Sequence, residues 1–344
     1  MNNKPKSSQV FETDILPTLL GHFWDPLCFR IECARCLNEV GCLKIGDDPD
    51  SGKYEPTLLQ CFAAVVNKLH SIPVEVFQSF EGLRGQNRIF WEVFMNQLSL
   101  LLTNFIRYNM KAVVGAYEIT GPALATLAKI SALPNDEIFK ICVEFWQMFA
   151  AQLYLDREKA RKEQSQKQNM GGGQQQQPPL MLSLSGSTDM SVDVKATGGG
   201  HEEELIAKYQ PILDNVRRVM IMRMAKPPEV TIKENEDGEI VREGEVDTDE
   251  LAMYRMMREC LIYLTHLDPS NMVNIMMDIL SELASPSDWN CGLLSRLCWS
   301  VGSISGAMPE NDEKRFIVNV IRDLLTLCEV KRGVENKAMV ASCL

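Results

Sequence analysis

Apolar residues recur at three- and four-residue spacing along almost the whole chain, and no other feature constrains its fold so tightly. Such spacing gives an α-helix an apolar stripe, whereas strands need strict alternation, which is nearly absent here. The pattern predicts helices over residues 12–23, 27–43, 55–71, 86–112, 119–132, 136–163, 202–225, 248–267, 269–284, 287–305, 310–330 and 335–344. Most links are short and hold helix breakers: Asp25-Pro26, Ser71-Ile72-Pro73, Leu133-Pro134-Asn135, Asp268-Pro269-Ser270, Ser285-Pro286-Ser287 and Met308-Pro309. Asn135 stands as a cap ahead of Asp136-Glu137, and Asp247-Thr248 ahead of Asp249-Glu250.

A single core rarely grows past about 250–300 residues, so 344 residues of briefly linked helices are expected to stack rather than to ball up. Antiparallel helix pairs repeating at roughly 40–47 residues have the HEAT-type period. The expected fold is therefore all-α, a right-handed superhelical solenoid. Residues 1–163 and 201–344 form its two runs of repeats. Residues 164–200, rich in Gly, Gln, Ser and Pro, cannot build a core and are expected as a disordered insertion. A second interruption, 229–247, is acidic: Val230-Thr231-Ile232-Lys233 and Glu239-Ile240-Val241-Arg242 flank Glu234-Asn235-Glu236-Asp237-Gly238. Asp-Gly between two such runs is a hairpin signal, so a β-hairpin is expected to project from the helices.

The net charge of −11 argues against nucleic-acid binding, since phosphates are repelled, and favours basic protein partners. Eleven cysteines, scattered through helices, suit a reducing compartment where thiols serve as small hydrophobes. The polar start has no signal-peptide run, and no stretch reads as the roughly 18 apolar residues that cross a bilayer. The expectation is a soluble intracellular chain without membrane contact.

Motifs for chemistry are wanting. The glycine triplets at 171–173 and 198–200 lie in low complexity, not between a strand and a helix. His22, His70, His201 and His266 lack metal-ligand spacing. Cys28, Cys33, Cys36 and Cys42 can be drawn as a zinc site, but Cys33 and Cys36 fall within a helical pattern, so core thiols are the preferred reading. An EF-hand register with Gly238 sixth puts Lys233 first and Gly244 twelfth, where carboxylates are needed. A nucleophile at Cys328 has no histidine nearby in sequence. No enzyme, metal or cofactor is expected. The acidic stretch reads either as a solvated excursion or as a clasp for a basic partner.

The helix Phe316–Cys328 is too apolar for its place. At about 100° per residue, Asn319, Arg322, Asp323 and Thr326 fill one narrow sector, and apolar residues cover roughly 200°. A surface helix needs a stripe only a little over 100° wide. The excess either packs on a neighbouring repeat or leaves Ile321, Leu325 and Cys328 lining a groove for an amphipathic peptide.

The run Leu297-Cys298-Trp299-Ser300-Val301-Gly302-Ser303-Ile304-Ser305-Gly306-Ala307-Met308 resembles the exportins, nuclear export receptors of the importin-β (karyopherin-β) family. So do Leu327-Cys328-Glu329-Val330-Lys331-Arg332-Gly333, Arg223-Met224-Ala225-Lys226-Pro227 and Glu137-Ile138-Phe139-Lys140-Ile141-Cys142. The resemblance is weakest over 44–117. It implies a HEAT solenoid that shuttles between nucleus and cytoplasm. Such a receptor binds leucine-rich export signals, the GTP-bound Ran GTPase and nucleoporins, and catalyses nothing. Carried over by position, it puts Ile321, Leu325 and Cys328 on a cargo groove and Lys337 at its edge. Val334 stands where some members have a second lysine. Glu234, Asn235, Glu236, Asp237, Gly238 and Glu239 fall on the loop that reaches across Ran. The chain is expected to be a central fragment holding the first wall of that groove. The alternative is a truncated helical scaffold that binds no cargo.

Overall fold

The computed structural model describes residues 7–43, 51–170, 201–225, 230–234, 240–244, 248–285, 289–331 and 333–342. The helices are α1 (Ser7–Phe11), α2 (Ile15–Thr18), α3 (Leu27–Gly41), α4 (Ser51–Leu69), α5 (Val74–Gln78) and α6 (Gly85–Tyr108). They continue as α7 (Met110–Val113), α8 (Tyr117–Ser131), α9 (Asp136–Met170), α10 (His201–Met222) and α11 (Thr248–Leu267). The last four are α12 (Pro269–Ala284), α13 (Cys291–Ser303), α14 (Glu310–Val330) and α15 (Val334–Ser342). One row packs in the order α3, α6, α9, α11, α13, α15, and a second in the order α4, α8, α10, α12, α14. Each helix thus touches the next of its own row, while α6 with α8, α9 with α10 and α11 with α12 pack across the rows. This is the quasi-one-dimensional stack that the periodicity demands. Three first-row helices begin at Thr248, Cys291 and Val334, evenly spaced within the expected 40–47-residue range.

Aromatic side chains fill the seam between the rows. Phe62 of α4 and Phe105 of α6 stack at 4.3 Å, and Phe145, Trp146 and Phe149 of α9 form a continuous cluster reaching Tyr209 of α10. At α3 the approach to α6 is closest, where a Cβ on Gly41 would lie 3.2 Å from the Phe105 Cα. The cap foreseen at Asn135 is present, its Oδ1 accepting the Ile138 N–H at 3.0 Å; Asp247 lies outside the described residues, and Asp268 Oδ1, not foreseen as a cap, accepts the N–H of Asn271 at 2.9 Å.

Helix ends are held by arginines from other elements. Arg157 of α9 donates to the carbonyls of His266 and Leu267 at 2.7 and 3.0 Å. Arg217 of α10, wholly buried, donates to Leu264 O at 3.0 Å and to Asp214 and Asn271. The His266 and Leu267 carbonyls lie past the last intrahelical donor, Leu264 O accepts the Asp268 N–H as well, and a cation there also meets the negative end of the helix dipole. Arg30 does likewise for Trp24 O and Asp25 O, and Arg223 for Leu133 O while pairing with Asp136.

Several expectations need correction. The helix foreseen over 12–23 is instead α2 followed by a π-helical turn, Leu19–Phe23, with the separate short helix α1 ending before it at Phe11. That foreseen over 86–112 divides at Asn109, whose amide bonds Phe105 O and Gly41 O and so competes with the helix's own ladder. The start foreseen at 287 falls at Cys291, where Asn290 caps Leu293 N. Helix α9 continues to Met170, seven residues beyond the boundary foreseen at 163. Gln164, Gln166, Lys167, Gln168 and Met170 are good helix formers, and Gly171 follows them; the rest of the foreseen insertion, 171–200, lies outside the described residues.

Nor is the chain without a long apolar helix: α6 is long and apolar enough to cross a membrane by length and composition. Its apolar side chains, among them Phe94, Leu98, Leu101 and Phe105, are buried, and it packs on α3, α8 and α9. Strands Val230–Glu234 (β1) and Ile240–Gly244 (β2) pair antiparallel, with Val230 opposite Gly244 and Glu234 opposite Ile240. Residues 235–239 between them lie outside the described residues.

Candidate functional site

The surface of interest is built on α14. Pro309, extended at φ −56° and ψ 137°, cannot continue a helix backwards and starts this one. Glu310, Asp312 and Glu313 follow in the first turn, where the helix dipole favours carboxylates. Glu313 Oε1 also accepts from the Gly306 N–H at 2.9 Å and the Ser305 hydroxyl at 3.1 Å, fixing the preceding turn, in which Gly306 takes φ +80°. Past Val330 the chain turns through Gly333, φ +94°, into α15.

That turn is anchored from behind. The Lys331 ammonium, on a side chain that is buried, sits 4.4 Å from the centroid of the Trp289 ring and 3.4 Å from the carbonyls of Ala284 and Ser285. Trp289 Nε1 donates to Asn336 Oδ1 at 3.0 Å. Nothing in the periodicity points to Trp289 or Lys331, since neither belongs to an amphipathic stripe; both are links between elements.

Helix α14 has two separate apolar faces. Phe316, Val320, Leu324 and Leu327 are buried. Val318, Ile321 and Leu325 are 64, 42 and 51% exposed, and Cys328 is intermediate. At about 100° per residue the second set lies roughly a third of a turn from the first. Residues 318, 321, 325 and 328 span about 15 Å of helix, a row at the i, i+3, i+7 spacing that an amphipathic partner uses. The foreseen polar sector is present beside it: Arg322 is exposed and bonds Asp323 at 3.1 Å, and Thr326 donates to Arg322 O. Ile321, Leu325 and Cys328 thus share one face, on which Ile321 and Leu325 are exposed and Cys328 is partly buried against the core. Lys337 of α15 is exposed, and its backbone oxygen lies 4.0 Å from the Cys328 sulfur. Chemically this surface can exclude water from an apolar partner and offers a thiol at its edge.

Other foreseen residues fare differently. In the acidic stretch Glu234 belongs to β1, whereas Asn235, Glu236, Asp237, Gly238 and Glu239 lie outside the described residues. The reading of four N-terminal cysteines as core thiols holds for Cys33 alone: Cys28 and Cys36 are exposed and Cys42 is intermediate. Cys33 and Cys36 are neighbours three residues apart on one helix, yet Cys33 is buried and Cys36 exposed. Among the described residues no group of three or more His, Cys, Asp or Glu side chains is placed to hold a metal.

Three repeat models match the chain. Residues 118–154 match the chromosome region maintenance or exportin repeat, 206–272 match CRM1/exportin repeat 2, and 285–335, which include all of α14, match CRM1/exportin repeat 3. Exportin-1 of Schizosaccharomyces pombe is 35% identical over 337 residues, covering 97% of this chain and 29% of that one. Exportin-1 of Dictyostelium discoideum is 35% identical over 341 residues, 97% and 28% of the two chains. For exportin-1 of Drosophila melanogaster the figures are 34% over 335 residues, 97% and 28%. The chain therefore spans under a third of the length of these relatives.

Proposed function

From the premise that this chain belongs to the exportin-1 family, we propose that it is a segment of a nuclear export receptor. In this reading it binds leucine-rich export signals along the Val318–Cys328 stripe and the GTP-bound Ran GTPase through residues 229–247. It acts by binding alone, shuttles between nucleus and cytoplasm, and meets nucleoporins on the way.

The observation that carries the reading is the second apolar face of α14, with Ile321 and Leu325 largely exposed inside the segment that matches exportin repeat 3. Fully burying one such side chain gives about 1.5–3 kcal/mol, so three anchors gain roughly 5–9 kcal/mol before the cost of association is subtracted, and a weak, reversible complex is expected. Lys337 at the edge supplies a cation for the acidic residues that flank an amphipathic peptide.

The acidic run Glu234, Glu236, Asp237 and Glu239 supports the Ran part by charge alone. If Ran strengthens cargo binding, cargo strengthens Ran binding by the same factor.

The test is fluorescence anisotropy of a labelled leucine-rich export peptide titrated with the chain, with and without GTP-loaded Ran. Saturable binding that Ran-GTP strengthens and Leu325→Asp removes is the expected result. Absence of binding under both conditions, or an unaltered Kd for Leu325→Asp, overturns the reading and leaves a helical scaffold without cargo.

A further inference from the structure

A cleft of about 500 Å³ opens where α7, α9 and α10 meet. Its floor is apolar: Phe149, Leu153 and Ile206 are buried, and Met110, Val114 and Leu205 are half-buried at its sides. The charged residues of the lining are the exposed Lys111, Asp156, Lys159 and Glu163, two of each sign, which favour neither an anion nor a cation. Such a cleft suits an uncharged apolar segment, and its volume is that of a small-ligand site.

The chain carries one such segment next to it. Residues 171–200 join α9 to α10, the two helices that wall the cleft. Within residues 171–188, which have no charged side chain, Leu180-Met181-Leu182-Ser183-Leu184 follows Pro178-Pro179 and is the sole apolar cluster. Leucines stand at every second position, 180, 182 and 184, the spacing that shares one side of an extended segment.

Reach is sufficient in both directions. From Leu153 to Met170 helix α9 rises about 26 Å at 1.5 Å per residue, and the ten residues from Gly171 to Leu180 extend to about 33 Å. From Leu184 back to His201 the chain is longer still, and Leu205 is one turn into α10.

We propose that this cleft is an intramolecular docking site for residues 180–184 of the same chain. A tether of this length sets an effective concentration near millimolar, so an intrinsic Kd of about 100 μM keeps the site about nine-tenths filled. The occupant competes with any free apolar peptide for the same floor.

The experiment uses the full chain and a labelled peptide of residues 176–187. In one variant Leu180, Met181, Leu182 and Leu184 are all replaced by serine, which empties the tether without touching the cleft. The peptide should bind this variant saturably and bind the intact chain at least tenfold more weakly. On the emptied variant, Ala160→Trp, which fills the cleft from α9, should weaken binding at least tenfold. Leu205→Glu gives the same reading should that variant lose its helical circular dichroism. No binding to the emptied chain, equal binding to both chains, or indifference to both cleft substitutions overturns the proposal. So does dimerisation of the emptied chain that Leu205→Glu abolishes, which assigns the cleft to a second copy.

Discussion

The sulfur of Cys328 lies 4.0 Å from the backbone oxygen of Lys337, so the last turn of α14 and the first turn of α15 close on one another at a half-exposed thiol. Reactivity of a thiol follows its access and its thiolate fraction. Burial pushes Cys33 and Cys142 up to about 11 and Cys61 and Cys260 up to about 12. In the native chain at neutral pH, maleimide should therefore label Cys28 and Cys36 first and Cys328 next. These four buried thiols should react only after denaturation. Peptide mass mapping over time gives the order; Cys328 reacting as slowly as Cys260 would contradict the exposed stripe.

Leu324 and Leu325 are neighbours in sequence with opposite environments, 2% and 51% exposed. Leu324→Ala removes buried methyl groups and should cost about 2–5 kcal/mol. Leu325→Ala should change stability by less than about 0.5 kcal/mol while weakening export-peptide binding. Thermal unfolding beside peptide titration separates the two; equal destabilisation would mean that both faces of α14 are structural.

Replacing Gly41 should destabilise the chain even though alanine suits a helix better by about 1 kcal/mol. A methyl group there would stand 3.0 Å from Phe105 Cδ2 and 3.2 Å from the Phe105 backbone, and backbone cannot swing aside. Overpacking of this kind costs about 1–3 kcal/mol, so Gly41→Ala should lower Tm. A raised Tm would show that α3 and α6 separate freely.

His266 stacks on Tyr154 at 5.0 Å, and burial, with the Arg157 guanidinium second, holds its imidazolium below the ordinary range; Glu158 and the Ala307 backbone oppose this more weakly. Unfolded, the ring takes up its proton near pH 6.5. Between that value and the lower folded one, the unfolded chain binds more protons, so stability falls as pH drops below about 7. His266→Gln should lose less Tm than the wild type between pH 7.5 and 5.5. An identical loss would sink this assignment.

What could be read in advance divides along physical lines. Stripes of apolar residues, breakers such as Asp268-Pro269-Ser270 and the cap at Asn135 are local signals, and they placed α8, α11, α12 and α14 closely. The doubled apolar face of α14 was legible for the same reason: its arc is wider than one neighbour can cover. Arg30, Arg157, Arg217 and Arg223 were not legible, because each serves a carbonyl in another element and a charged residue in a helix otherwise reads as solvent-facing. Asn109 broke its helix by bonding across to Gly41, again a partner that no window of sequence contains. Likewise Lys331 became a buried residue only because Trp289 and two carbonyls surround it.

The end of α11 is gripped by Arg157 from α9 and Arg217 from α10, three carbonyls in all. Sliding or rotating α11 against its predecessors would strip the Arg157 guanidinium of both carbonyls and take Leu264 O from the buried Arg217, which would keep Asp214 of its own helix. Helices α9 to α12 consequently travel as one block. Any flexing that carries a signal along this chain must be taken up at joints lacking such a clamp, and that choice was made by two side chains rather than by the helices themselves.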